Sequence, residues 1–383
     1  MKRFLILLAI GASVVASYAA SAASFAQEPV AVEPTIDAGF AWYDATQWPV
    51  ENKCWTDVDR YFARLPGRAH GKVTDAVWGN SQHSAGEVVR FRTNATTLKV
   101  RYKLYSGNVA MAHMPATGVS GLDLYAFDEE SKTWRWVAIT QPRKQEEEKE
   151  WISGIEEKTR DYMCYLPLYN GVETLSIGVP EGAEFTALSP RSDKPIVYYG
   201  TSIAHGGCAS RPGNAFTAMI GRRLDIPVVN LGFSGSAKME IAIAELLAEL
   251  DAEIYVLDAS PNMTAQMIAE RALPFIKKLR ESRPTTPILL VEDRWYGNSW
   301  ILPSRNKTNA DNHRELQKVF DTLKDEDPNL YYLSAENLLG EDLDRDATVD
   351  CSHPNDLGMY RQANALEAVL RPILEKLRAE EAK

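Results

Sequence analysis

The stretch Pro195-Ile196-Val197-Tyr198-Tyr199-Gly200-Thr201-Ser202-Ile203-Ala204 decides how this chain is read. An apolar run closed by Gly predicts a short buried strand, and the residues beyond it predict a turn into a helix. Ser202 then stands at the carboxyl end of a strand, where its hydroxyl can act as a nucleophile if a base lies beside it. A base is offered near the chain end by Asp350-Cys351-Ser352-His353. In an Asp-x-x-His the carboxylate can fold back onto Nδ1, which fixes the tautomer and leaves Nε2 to face the serine.

Working outward from Ser202, strand and helix patterns alternate. Strands are expected at Ile196–Tyr199, Val228–Leu231, Ile254–Asp258, Ile288–Glu292 and Leu330–Leu333. Helices are expected at Ala215–Leu224, Lys238–Leu250, Thr264–Glu281, Asp311–Lys324 and from Asp356 towards Arg378, the last kinked or broken at Pro372. Short apolar strands each followed by a helix or a helix-led loop make a parallel sheet covered on both faces, with its site outside the carboxyl ends of the strands.

Two further residues fall at strand ends. Gly232 can leave a backbone N–H free for a developing oxyanion, or simply serve a tight turn; Asn262 can donate its amide to the same charge, or cap the helix that follows. Ser202 has its own bland reading as a helix N-cap. His205 is a rival base without an obvious orienting partner, and His313 sits within a helix pattern. Position 204 is Ala, so the Gly-x-Ser-x-Gly elbow is absent.

The first half reads differently. Val88–Phe91, Thr97–Tyr105, Leu122–Phe127, Trp134–Ile139, Met163–Leu166 and Thr174–Val179 are short β-type segments, which predicts a jelly-roll-like β-sandwich over 38–188. Lys144–Glu150 reads as a solvated charged loop, Ala187–Lys194 as a linker, and 194–381 as the α/β domain. Seven of the nine Trp fall in the β-rich half, where core packing outranks a sugar-stacking surface.

Met1-Lys2-Arg3 followed by the apolar run Phe4–Val15 and small residues predicts a cleaved secretory leader over 1–26, too short to span a bilayer. The mature chain is then exported, periplasmic or extracellular. The formal net charge is −10, and −12 once the leader's two cations are gone. Such a surface disfavours nucleic acid and anionic membrane as partners. Export permits disulfides, and Cys208–Cys351 with Cys54–Cys164 is one pairing of three; four unpaired thiols is an equal alternative.

The ordered set Ser202, Gly232, Asn262 and Asp350/His353, each at a strand end, resembles the SGNH (GDSL-type) hydrolases. Gly121-Leu122-Asp123-Leu124-Tyr125 resembles the Gly-x-Asp-Leu-Tyr signature of a β-rich domain that precedes one branch of that family. The resemblance implies a flavodoxin-like three-layer fold and ester hydrolysis without metal or cofactor. Ser202 would be the nucleophile, His353 the base and Asp350 its orienter. The oxyanion donors would be the N–H groups of Ser202 and Gly232 and the Asn262 amide. The chain departs from the family pattern at Thr201, usually Asp, and at Ser260-Pro261-Asn262-Met263, usually Gly-x-Asn-Asp.

For substrate, Arg294, Trp295 and Trp300 after the fourth strand could form a polar anchor and a stacking wall, with Arg211 as another anchor. These features favour removal of small acyl groups, above all O-acetyl, from carbohydrate. Two alternatives stand: a lysophospholipase or thioesterase acting on longer acyl chains, and a non-catalytic glycan-binding protein.

Overall fold

The computed structural model describes residues 27–336, 338–340 and 346–382. The leader expected over 1–26 lies outside the described residues. In the second half five parallel strands, Ile196–Gly200, Val228–Gly232, Ile254–Asp258, Ile288–Val291 and Leu330–Leu333, form one sheet. Numbered in chain order, they lie in the order 2-1-3-4-5. Alternate side chains leave on opposite faces of a strand. Val197, Tyr199, Tyr255, Leu257, Ile288 and Leu290 join one buried cluster, whereas Ile196, Tyr198, Ile254, Val256, Leu289 and Val291 join another. The first face is covered by helices Ile241–Ala248, Ala265–Ser282 and Pro303–Leu323, and the second by Phe216–Leu224 and Asp356–Glu381. This is the flavodoxin-like three-layer arrangement. The first strand is flanked by the second and the third, so the point where the strand order reverses falls at the end of Ile196–Gly200, immediately before Ser202.

The preceding half is a β-sandwich. One antiparallel sheet has six strands, including Val88–Thr93, Asp123–Asp128 and Arg160–Tyr165; the other has five, including Phe40–Asp44, Thr97–Leu104 and Val172–Pro180. Both contribute to a single core, with Val89, Phe91, Leu124 and Cys164 meeting Tyr43, Val100, Leu175 and Ile177. Trp48 and Trp151 pack into this core and Trp55 into the α/β cluster, whereas Trp136 is 51% exposed.

Several expectations are corrected. Lys144–Glu150 is not a loop: Glu146–Ser153 is a strand paired with Thr97–Leu104. Its charges line one exposed face, where Glu148 meets Arg101 at 2.7 Å, while Glu147 turns inward to accept from Tyr102 at 2.7 Å. Ala187–Lys194 is not a free linker. Phe185–Leu188 is a strand, and Arg191 is anchored by Glu51 at 2.8 Å and by Asp225 at 3.0 Å. Helix Asp356–Glu381 is not broken at Pro372, which lies inside it, and the helix expected from Asp311 begins at Pro303.

All four cysteines are free. The pairing Cys54–Cys164 fails because the two lie in different cores: Cys54 packs on the α/β cluster and Cys164 lies inside the sandwich. Cys208 is buried among the residues beneath the serine turn, while Cys351 stands in the loop that carries Asp350 and His353. The segment between Phe40–Asp44 and Val88–Thr93 is not strand-like. It includes helix Asp75–Ser81, and its Trp55, Leu65, Val73 and Val77 pack into the α/β core rather than the sandwich.

Candidate active site

The serine turn is built without using Ser202 as a cap. Thr201 is the N-cap of the short helix Ser202–His205, its hydroxyl accepting from the Ile203 N–H. Ser202 Oγ is instead 2.8 Å from His353 Nε2. Being first in its helix, Ser202 has an N–H with no intrahelical acceptor.

The Asp350–His353 loop folds on itself. Val349 N–H donates to the His353 carbonyl at 2.9 Å, and Cys351 adopts φ 67° at the turn. Asp350 Oδ1 accepts from the backbone N–H groups of His353 at 2.7 Å and Ser352 at 3.0 Å, while Oδ2 lies 2.7 Å from His353 Nδ1. Partial burial pushes the Asp350 carboxyl up, but these hydrogen bonds outweigh it and hold it below the ordinary aspartate range. The loop is docked on its neighbours by Gly297 N–H to the Cys351 carbonyl and by Cys208 N–H to the Pro354 carbonyl, at 2.8 and 2.9 Å. Ser202, His353 and Asp350 thus form one hydrogen-bonded chain, with a carboxylate on the far ring nitrogen and a hydroxyl on the near one.

Asn262 is released from capping, because Thr264 caps helix Ala265–Ser282 by accepting from Met267 N–H. In the amide orientation that satisfies its surroundings, Asn262 Oδ1 accepts from the N–H groups of Ser236 at 3.2 Å and Ala237 at 3.3 Å. The donors of the side chain are then the two Nδ2 hydrogens.

Gly232 departs from expectation. Its N–H already donates to Asn230 Oδ1 at 2.9 Å, and an added Cβ would lie 2.2 Å from the His205 backbone nitrogen. The glycine is required by close packing of the serine helix on the strand end, and its amide is not free for an oxyanion. Gly235, which the sequence reading missed, sits three residues on at φ 69°, with nothing within 4 Å of where a Cβ would stand. Its position on the same turn as Ser236 and Ala237 makes it the glycine beside Asn262.

His205 is excluded as the base by burial. It is fully enclosed, its ring stacked on Tyr169 at 4.3 Å, and burial, Arg64 and His83 all lower its pKa and keep it neutral. His313 is also occupied, with Nε2 2.6 Å from the Asp293 carbonyl. His113, on a loop of the β-rich half that no sequence pattern marked, brings its ring to 6.0 Å from that of His353.

Two of the expected substrate contacts are spent inside the fold. Arg294 is 2% exposed, and its guanidinium is held by the buried Asp258 and by Gln362. Arg211 pairs with Asp123 at 2.9 Å and with the Tyr125 hydroxyl at 2.6 Å. Both are corrected from substrate anchors to fold contacts. Asp123, fully buried, also accepts from Gly213 N–H at 2.7 Å and Trp136 Nε1 at 2.9 Å. The Asp of the Gly-x-Asp-Leu-Tyr stretch therefore ties the sandwich to the segment following the serine helix. Trp295 is half-buried and meets His313 edge-on, whereas Trp300 is 80% exposed.

Comparison with known proteins agrees with this architecture. A model of the GDSL-like lipase/acylhydrolase family matches residues 193–371, and one for the N-terminus of SGNH-hydrolase-type esterases matches residues 40–185. The second half of the chain is thus a GDSL-like lipase/acylhydrolase domain, preceded by the N-terminal domain found in SGNH-hydrolase-type esterases. With these two domains it is a carboxylic ester hydrolase. A GDSL-like lipase from Bacteroides ovatus is 28% identical with a TM-score of 0.83, over 88% of this chain and 98% of that one. A salicylyl-acyltransferase, SsfX3, from a tetracycline biosynthetic pathway shares the fold at 19% identity and TM-score 0.69, over 91% and 97% of the two chains. So does a family two carbohydrate esterase from Cellvibrio japonicus, at 11% identity and TM-score 0.56, over 88% and 99%. No curated protein matches the chain. Among the described residues no helix is long and apolar enough to cross a membrane.

Proposed function

We propose that this esterase is exported and removes small acyl groups, chiefly O-acetyl, from carbohydrate by serine catalysis. The single observation that carries the mechanism is the hydrogen-bonded chain from Ser202 Oγ through His353 to Asp350. His353 Nε2 takes the Ser202 proton as Oγ attacks the ester carbonyl, and Asp350 stabilises the imidazolium that forms. The oxyanion is met by the Ser202 N–H and the Asn262 amide, with the Gly235 N–H in the place the sequence reading assigned to Gly232. The alcohol leaves with the proton held by His353. Water, activated by the same imidazole, then releases the acyl group and restores Ser202.

Export rests on the leader pattern of residues 1–26. The carbohydrate reading is supported by the exposed Trp300 and the half-buried Trp295, aromatic faces on which a sugar ring can stack. Solved carbohydrate esterases share the fold, which points in the same direction by analogy. The exposed run Trp300-Ile301-Leu302 also favours a second reading, longer acyl chains resting on an apolar rim.

The test is hydrolysis of p-nitrophenyl esters from acetate to octanoate by the mature chain, with Ser202→Ala alongside. The proposal expects acetate to be preferred and the variant to be inactive. A preference for octanoate would replace the acetyl reading with the longer-chain one. Undiminished activity in Ser202→Ala would overturn the mechanism.

A further inference from the structure

A single guanidinium from the β-rich half lies buried under the strand end that leads to the Asn262 turn. Arg64 is 5% exposed. Its Nε donates to the His83 carbonyl at 2.8 Å, Nη1 to the carbonyls of Asn230 and Gly232 at 2.9 Å each, and Nη2 to the Asn80 carbonyl at 2.7 Å. The fifth N–H of the group has His205 Nε2 at 3.3 Å. All five donors of the fork are thus assigned, and none of the acceptors is a carboxylate. A buried cation usually has a carboxylate partner, since the attraction offsets its desolvation. Its direct ligands are carbonyl dipoles and one neutral imidazole, and the buried Glu87 carboxyl favours its charge only through space.

Those ligands lead towards the reacting atoms. Gly232 ends the strand from which Phe233–Ala237 departs, and Asn230, two residues earlier in it, donates through Nδ2 to the Ala204 carbonyl at 2.7 Å, inside the serine helix. His205 ends that helix and stacks on Tyr169, whose hydroxyl donates to the Ser202 carbonyl at 3.0 Å. Asn80, whose carbonyl holds Arg64, sends its amide to the Ser234 carbonyl at 3.0 Å and the Ser236 hydroxyl at 3.2 Å. We propose that Arg64 is a positioning residue for the esterase reaction, locking the oxyanion turn and the serine helix to each other from the β-rich half and adding a buried positive charge beneath the developing oxyanion.

The inference rests on the serine-esterase reading given above. Its mark is a loss in kcat without a matching change in KM, because Arg64 touches no substrate. In the full chain, Arg64→Met is expected to lower kcat on p-nitrophenyl acetate about 10²-fold with KM within about threefold, on the scale of one lost oxyanion donor. Arg64→Lys, which keeps the charge but not the fork, should fall between Met and the parent. Rates are to be taken per reactive serine, counted by titration with a p-nitrophenyl phosphonate. Parental kcat per titrated site in Arg64→Met, or equal losses in the Lys and Met variants, would overturn the inference. If neither folds, Asn80→Ala decides: reduced kcat at constant KM supports the lock, and unchanged kcat refutes it. A parent chain without esterase activity, or an active Ser202→Ala, would instead sink the mechanism on which this rests.

Discussion

Asn262 is available for the proposed oxyanion role because a simpler one is taken from it. Next to Ser260 and Pro261 it could have capped the following helix, but Thr264 does so, and the Asn262 amide is fixed on the Ser236 and Ala237 N–H groups. Asn262→Ala should therefore leave the helix intact and lower kcat by about 10²–10³-fold. Thermal unfolding should stay close to the parent, since no cap is lost and the Ser236 and Ala237 N–H groups keep the Phe233 carbonyl as acceptor. Parental turnover in the variant would return Asn262 to a structural part. Gly232 illustrates the opposite case. The sequence marked a glycine at a strand end, but the glycine is needed because the His205 backbone passes too close for any Cβ.

Among elements, the informative contact is that of the sandwich strand Asp123–Asp128 with the segment after the serine helix. Asp123 is buried and collects Arg211, Gly213 N–H and Trp136. Removing its carboxylate leaves Arg211 facing a half-enclosed gap. Breaking a buried pair from one side costs about 3 kcal/mol at the low end, which suits Arg211 because it keeps the Tyr125 hydroxyl. Asp123→Ala should lower Tm by several degrees and loosen the Cys208–Asn214 segment. The check is thermal unfolding together with hydrogen exchange at Gly213; unchanged protection there would show that the signature Asp does not tie the two halves.

For the whole molecule, Glu51 joins the sandwich, the connector and the α/β half. It is buried, pairs with Arg90 at 3.1 Å and with Arg191 at 2.8 Å, and Arg191 reaches on to Asp225. Burial alone would raise its pKa, but the two guanidinium groups outweigh burial and bring it down to about 2. A carboxyl depressed in the folded state contributes stability that is present above its ordinary value, 4.5, and is lost as pH falls towards about 2. The pair of values corresponds to about 3 kcal/mol. Urea midpoints measured from pH 5 down to pH 2 should fall steeply in the parent and less steeply in Glu51→Gln. Equal slopes in both would show that the acid sensitivity lies elsewhere.

Local chemistry suffices for much of this protein. The alternation of apolar runs with helical periods specifies a parallel sheet, because strands buried on both faces need no polar alternation and only helices can cover them. A Ser at a strand end and an Asp-x-x-His loop are likewise legible, since the spacing within each is set by one turn of backbone. What the linear pattern could not convey is which groups are already occupied. Arg294 and Arg211 look like free cations until the fold places Asp258 and Asp123 against them. The run Lys144–Glu150 looks like loop until Thr97–Leu104 supplies a partner for its backbone and its charges. Arg64, His83, Tyr169 and His113 lie far along the chain from Ser202 and bear no motif. Their convergence depends on how two cores pack together, a long-range outcome that no local preference encodes.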